Sequence, residues 1–212
     1  MHPVLRLYED VLSDSGALTL AAAPRMIFVV HGSVTIEDRT FGDNEAWYGE
    51  SAITVTPGKT GVTCWRWEIG ERSADVSDPG ASSQGKLAAL LDPPEGDLLW
   101  RGDSVAFPPG GVAYLHRHQG PGIRCVAEGA IRVDTKGHST SYGPGGAWFE
   151  AGPDPVFAQA AADRATRFIR VMILPRALVG KSSIQYANED DKTKPKTQQY
   201  KVYVDAPLTR SW

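Results

Sequence analysis

Apolar residues recur along the chain in runs of strand length, and polar or turn-forming residues close each run. MIFVVHGSVTI (26–36), AITVTPGKTGVTCWRWEI (52–69), DSVAFPP (103–109), GIRCVAEGAIRV (122–133) and RFIRVMIL (167–174) are rich in Val, Ile, Thr and aromatics, and each is bounded by Gly, Pro or Asp. β-Branched and aromatic side chains suit a pleated, half-buried surface, so each run predicts a strand. YKVYVD (200–205) adds a predicted edge strand behind a charged stretch. Helical patterning is confined to KLAALL (86–91) and RALVGKS near 176. With 22 glycines and 15 prolines as punctuation, the pattern predicts an all-β chain of antiparallel sandwiches or barrels with few short helices. The stretch ERSADVSDPGASSQG (71–85) is polar and reads as a surface linker between two halves.

The halves repeat one another. Setting 26–36 over 123–133 places Gly32 on Gly129 and His31 on Glu128, with apolar residues in register on both sides. FGDNEAWY (41–48) then lies over YGPGGAWF (142–149), matching Trp47 to Trp148, and CWRWEI (64–69) lies over FIRVMI (168–173), matching Arg66 to Arg170. Three matches in one order, separated only by small loop insertions, predict two copies of one β-domain.

Composition narrows the partners. Among 212 residues, 22 Lys and Arg face 25 Asp and Glu, a net charge of −3, which leaves no basic excess for nucleic acid. No apolar run has the length of a membrane span, and MHPVLRLYED lacks the features of a signal peptide, which predicts a cytoplasmic protein without a membrane partner. Cys64 and Cys125 each lie in an apolar run and read as reduced core thiols. No nucleophile elbow, P-loop or C-x-x-C occurs, and GPGG (143–146) reads as a turn.

Residues 110–129 run GGVAYLHRHQGPGIRCVAEG: Gly110, five residues, His116, one residue, His118, three residues, Gly122, six residues, Gly129. This resembles the first signature of the cupin superfamily, a glycine, five residues, H-x-H, three or four residues, a glutamate, six residues and a glycine, with Gly122 in the glutamate's place. YGPGGAWFEAGPDPVFAQA (142–160) resembles the second signature in outline, with Glu150 at its proline, Gly152 at its glycine, and Pro155 or Phe157 where its histidine belongs. The resemblance spans roughly residues 1–175 and implies a bicupin, two tandem cupin-type antiparallel β-barrels that commonly form homodimers. The expected layout is a first barrel over 1–80, a second over 86–178, and an extension over 179–212 serving as edge strand or dimer arm.

In a strand, side chains alternate faces, so His116 and His118 point the same way and can share one divalent transition metal such as Fe, Mn, Ni or Zn. A third ligand is left open among Glu150, Asp154, Gln159, His138 and Gln119. Strand parity places Arg124 on the face of Gly122, where it either pairs with Glu150 or grips a substrate carboxylate through its fork. The absent side chain at Gly122 would leave room beside the metal. Arg170 follows the same logic as Arg124, Tyr114 and Gln119 are placed at the cavity, and Phe157, Met172 and Trp148 are expected as apolar walls. Carrying the repeat upstream sets Thr19, Ala21 and Arg25 under His116, His118 and Gly122, which predicts a first barrel without a metal site. His31 reads as a surface histidine, and His2 has no context. Two functions follow: a metal-dependent oxygenase, isomerase or lyase acting on a small anionic substrate, or a non-catalytic small-molecule binder or sensor that has lost the full ligand set.

Overall fold

The computed structural model describes residues 3–70 and 82–210, and the chain divides into two compact units, Met1–Leu91 and Asp92–Arg210. Most of the expected linker, residues 71–81, and His2 lie outside the described residues. No described helix is long and apolar enough to cross a membrane.

The first unit is one antiparallel sheet of seven strands: β1 (Val4–Leu12), β2 (Leu18–Leu20), β3 (Arg25–Ile36), β4 (Arg39–Gly42), β5 (Ala46–Gly49), β6 (Ile53–Gly70) and β7 (Ser83–Leu90). Their order is β4-β3-β6-β1-β7, with β2 also on β6 and β5 also on β3. The long runs β3 and β6 bury an apolar cluster that includes Leu18, Leu20, Ile27, Val29, Val55 and Cys64. KLAALL, expected as a helix, is strand: Leu87 pairs across from Leu7 in β1. A six-residue helical pattern is too short to hold against a ladder of sheet hydrogen bonds.

The second unit has two five-stranded antiparallel sheets. Its strands are β8 (Leu98–Phe107), β9 (Val112–His118), β10 (Gly122–Glu128), β11 (Ile131–Thr135), β12 (His138–Tyr142), β13 (Ala147–Glu150), β14 (Val156–Ala160), β15 (Thr166–Pro175), β16 (Ile184–Tyr186) and β17 (Gln199–Leu208). One sheet runs β13-β10-β15-β8-β17 and the other β12-β11-β14-β9-β16. Side chains from both sheets form a single cluster, among them Val105, Phe107, Val126, Trp148, Val156, Ala158 and Phe168. Each of the Val and Phe side chains among them contributes about 1.5–3 kcal/mol on burial. RALVGKS gives only a short 3-10 turn at Arg176–Leu178. Cys64 and Cys125 are buried and not joined in a disulfide, as their apolar context predicts.

The expected single strand 122–133 is two strands that belong to different sheets, and Gly129 sits at the break with a φ of 73°. A Cβ at Gly129 would collide with the carbonyl oxygen of Ala165. Gly32, its match in the repeat, has a φ of 91° and would collide with the carbonyl oxygen of Gly61. Around Gly32 the register of β3 against β6 shifts, so each glycine marks a place where a strand must bend.

Gly129→Ala is expected to cost more than Gly137→Ala, because Gly137 shares the positive φ of 75° but has open space around a Cβ. The backbone cost alone is about 1–2 kcal/mol at either site, and the collision at Gly129 adds to it. Thermal melting of the two variants checks this: equal losses would mean that the Ala165 contact carries no weight.

Candidate functional site

His116 and His118 leave β9 on one face and are buried, while Arg117 between them is exposed. The alternation breaks once before them. Val156 of β14 opposes His116, but Ala158 opposes Ala113, so β9 carries one extra residue in between. Such a bulge reverses parity. Tyr114, expected beside the histidines, therefore turns away: its ring lies 4.8 Å from the Lys194 ammonium and 5.6 Å from that of Lys196. What Tyr114 gives the site is its carbonyl oxygen, 2.7 Å from His116 Nδ1.

That contact fixes a tautomer. A carbonyl only accepts, so His116 carries its proton on Nδ1 and presents a lone pair at Nε2. His116 Nε2 stands 3.2 Å from His118 Nε2, with the rings nearly perpendicular at 83°. His118 Nδ1 lies 3.2 Å from Ser183 Oγ, and that hydroxyl also reaches Met172 Sδ at 3.9 Å. Between the two Nε2 atoms belongs either a proton on His118 or a shared cation. Two imidazoles bound to one metal at about 2.0–2.1 Å, with an angle near 90–110°, hold their nitrogens about 2.9–3.4 Å apart. The observed spacing fits. Burial lowers the pKa of His116 and drives that of His118 well below the usual value, and the charges of Arg124 and Arg170 push both further down. Neutral imidazole is the form that ligates a metal.

Two buried ion pairs frame the histidines. Glu150 lies directly across from Gly122 in the β10–β13 ladder. Its Oε1 accepts from Trp148 Nε1 at 2.8 Å, and its Oε2 stands 2.7 Å from Arg124 Nη2 and 3.6 Å from His118 Nε2. The Arg124–Glu150 contact is an ion pair without a directed hydrogen bond, since neither atom is aligned on the other. Arg124 Nη1 donates to the carbonyl of Gly122 at 2.7 Å, and burial pushes the Arg124 pKa down to about 10. Arg170 forks onto Asp103 at 2.6 and 2.9 Å. Burial opposes the Arg170 charge, yet Asp103 holds its pKa above the usual value.

These groups and the apolar cluster enclose a chamber of about 20 Å³, room for one water or ion. A larger cavity of about 240 Å³ shares Arg170, Ile184 and Tyr200 with the chamber and is otherwise built largely from the C-terminal segment, including Lys181–Ser183 and Val202.

The structure brings His116, His118, Arg124, Glu150, Trp148 and Arg170 together and excludes other expected residues. Phe157 alternates with the inward Val156 and Ala158, so its ring faces outward, 5.9 Å from the Arg132 guanidinium. Met172 packs in a separate cluster with Leu99 and Leu174 and reaches His118 only through Ser183. Gln119 follows the end of β9 and does not line the chamber. Gly122 leaves no opening, because a Cβ there would strike the carbonyl oxygen of Val171. Of the third-ligand candidates, Asp154 is bound to Lys136 at the surface, His138 is exposed, Gln159 is only half buried on the outer face of β14, and Glu150 alone lies beside a histidine. Among the described residues, no group of three or more His, Cys, Asp or Glu side chains is arranged to hold a metal. Asp103, Ser183 and Tyr200 were missed. Asp103 has a legible signal, an acid inside an apolar strand; Ser183 lies in a segment without periodicity. His31 is at the surface, 3.8 Å from Asp43.

A pH dependence follows from the neutral histidines. Both folded-state pKa values lie below the unfolded value of about 6.5. As pH falls through that value, the unfolded chain takes up protons that the folded chain refuses, so stability drops by up to about 1.4 kcal/mol per pH unit for each such group. In chelator-treated protein the Tm should therefore fall from pH 7 to 5, and fall less steeply in His118→Gln. Identical slopes would mean that His118 accepts a proton in the fold.

No protein-family model and no curated protein matches the sequence. Solved structures do. The chain is similar to oxalate decarboxylase from Bacillus subtilis, with a TM-score of 0.60 and 12% identity over 90% of this chain and 73% of that one. It is similar to salicylate 1,2-dioxygenase from Pseudaminobacter salicylatoxidans, with a TM-score of 0.56 and 11% identity over 80% and 70%. A cupin 2 conserved barrel domain protein from Leptotrichia buccalis aligns with a TM-score of 0.50 and 12% identity over 81% and 84%. The chain thus has the all-β fold of cupin-domain proteins.

Proposed function

We propose that the second unit is a metal-dependent enzyme acting on a small anionic organic substrate, with a divalent metal held by His116 and His118. The observation that carries this reading is the pair of buried, neutral imidazoles whose Nε2 atoms stand 3.2 Å apart. Glu150 stands beside the pair, its Oε2 3.6 Å from His118 Nε2 and without a directed hydrogen bond, and is the carboxylate nearest to joining the two histidines. When bound, such a metal supplies Lewis acidity for isomerase or lyase chemistry, or redox capacity for an oxygenase reaction. The Tyr114 carbonyl orients His116, Ser183 steadies His118, and Trp148 holds the Glu150 carboxylate in place. Arg124 serves Glu150 rather than substrate, since its Nη atoms are engaged by Glu150 and the Gly122 carbonyl.

Among the solved structures of similar fold, oxalate decarboxylase is described with Mn(II) centres, and a salicylate 1,2-dioxygenase variant was solved in complex with gentisate. These support a metal and a small ligand for this chain; Fe, Ni and Zn suit the same donors. The first unit is a cupin barrel without ligands, and the protein works as a cytoplasmic homodimer.

A second reading is favoured by the small chamber and the two-histidine limit: a metal-free binder in which His118 Nε2–H donates to His116 Nε2. Elemental analysis of the purified protein separates them. The enzyme reading expects near-stoichiometric transition metal in the parent, loss in His116→Ala and His118→Ala with circular dichroism unchanged, and about 10- to 100-fold weaker metal binding in Glu150→Gln. No metal in the parent after loading would leave the binder.

A further inference from the structure

We propose that the cavity beside the chamber binds a small monocarboxylate with an apolar body, and that this anion and the metal at His116 and His118 bind as a coupled pair. The inference rests on the metal reading of the chamber and names the class of molecule that reaches it.

The first argument is charge. The chamber's ionisable groups are Arg124 with Glu150, Arg170 with Asp103, and two neutral imidazoles, a formal sum of zero. A divalent cation raises that sum to about +2 beside two buried guanidinium groups, where charge is poorly screened. Those guanidiniums line the same chamber as the two imidazoles, and they oppose a metal ion there by Coulomb repulsion. An anion arriving with the metal removes much of that cost.

The second argument is the cavity of about 240 Å³, which has Arg170, Ile184 and Tyr200 in common with the lining of the chamber and so lies directly beside it. Both of its carboxylates are committed. Asp103 holds Arg170. Asp205 takes the Arg101 fork at 2.9 and 3.1 Å and the Gly180 N–H at 2.8 Å. Lys181 lines the same cavity and makes no ion pair among the described residues, and Arg170 spends only Nε and one Nη on Asp103. The cavity thus presents one uncompensated positive charge.

The third argument is the apolar wall. Tyr200 and Val202 are 47% and 53% exposed, and both line this cavity. Large apolar side chains left open beside a single free cation suit a ligand with one carboxylate and a hydrophobic remainder. The volume limits that ligand to a small one, below the usual range of about 300–1,000 Å³ for drug-sized molecules.

Benzoate is a suitable probe, with Mn²⁺ as the metal. Calorimetric titration of the chelator-treated full chain with Mn²⁺ is run without and with saturating benzoate, and benzoate is titrated into the metal-free and the loaded protein. The expected result is at least tenfold tighter Mn²⁺ binding with benzoate, and the same factor for benzoate with Mn²⁺, because coupling between two ligands is reciprocal. Lys181→Ala weakens benzoate threefold or more, and Lys181→Arg restores it. Mn²⁺ that binds in a His118-dependent way with equal affinity in both conditions overturns the coupling and leaves the metal reading standing. No His118-dependent Mn²⁺ binding under either condition overturns the metal reading, and the coupling with it.

Discussion

The interior of the second unit depends on one constraint: His116 can offer Nε2 only as an acceptor, because its Nδ1 proton is held by the Tyr114 carbonyl. His118 turns its own Nε2 toward that lone pair at 3.2 Å. Two lone pairs at that distance in a dry chamber repel, so a positively charged or proton-bearing partner must sit between them. The surroundings decide how much positive charge is tolerated. Each guanidinium there has its own carboxylate, so the two ion pairs sum to no net charge. The site therefore favours neutral imidazoles, the form that ligates a metal.

The strand runs, the all-β class, the core cysteines and the convergence of His116 with His118 were legible because each depends on local pattern: alternation, β-branched content and a spacing of two residues. Tyr114 and Phe157 were misplaced for different reasons. Parity carries from one residue to the next only while the ladder is regular, and the extra residue in β9 reverses it between Ala113 and His116. Phe157 was placed by matching a motif, whereas its own strand alternation puts Val156 and Ala158 inward. Gly122 looked like a gap because sequence does not show what lies above a Cα; here it is the backbone of β15. Ser183 and Tyr200 come from a segment whose role exists only once β16 has paired with β9 and β17 with β8.

Register gives a comparison within the chain. In β3 and β5, Arg25 stands opposite Gly49 and Ile27 opposite Trp47. In β10 and β13, Gly122 stands opposite Glu150 and Arg124 opposite Trp148. The large polar side chain and the glycine have changed sides, and Arg124 has an aliphatic counterpart in Ile27. Leu18 opposes Val55 as His116 opposes Val156, and Val55 and Val156 share the spacing of Trp47 and Trp148. The counterparts of the histidines are thus Leu18 and Leu20, one residue from the Thr19 and Ala21 that a fixed offset indicates. Both leucines belong to the apolar cluster.

That comparison separates what the fold needs from what it merely carries. A buried Arg–Asp fork occurs in both units, Arg66 on Asp10 at 2.8 and 3.1 Å and Arg170 on Asp103, so it marks the architecture and is poor evidence for chemistry. The imidazole pair and the Arg124–Glu150 pair occur in the second unit alone. Removing one partner of a buried ion pair typically costs about 3–5 kcal/mol, whereas replacing a whole polar set with apolar residues is often neutral or stabilising. In the first unit Leu18, Leu20 and Ile27 stand in a buried apolar cluster where the second unit has His116, His118 and Arg124, and the buried Arg25 pairs with Glu68. Folding of this architecture therefore does not require His116, His118, Arg124 and Glu150. Burying them together is a stability cost that a purely structural role does not explain.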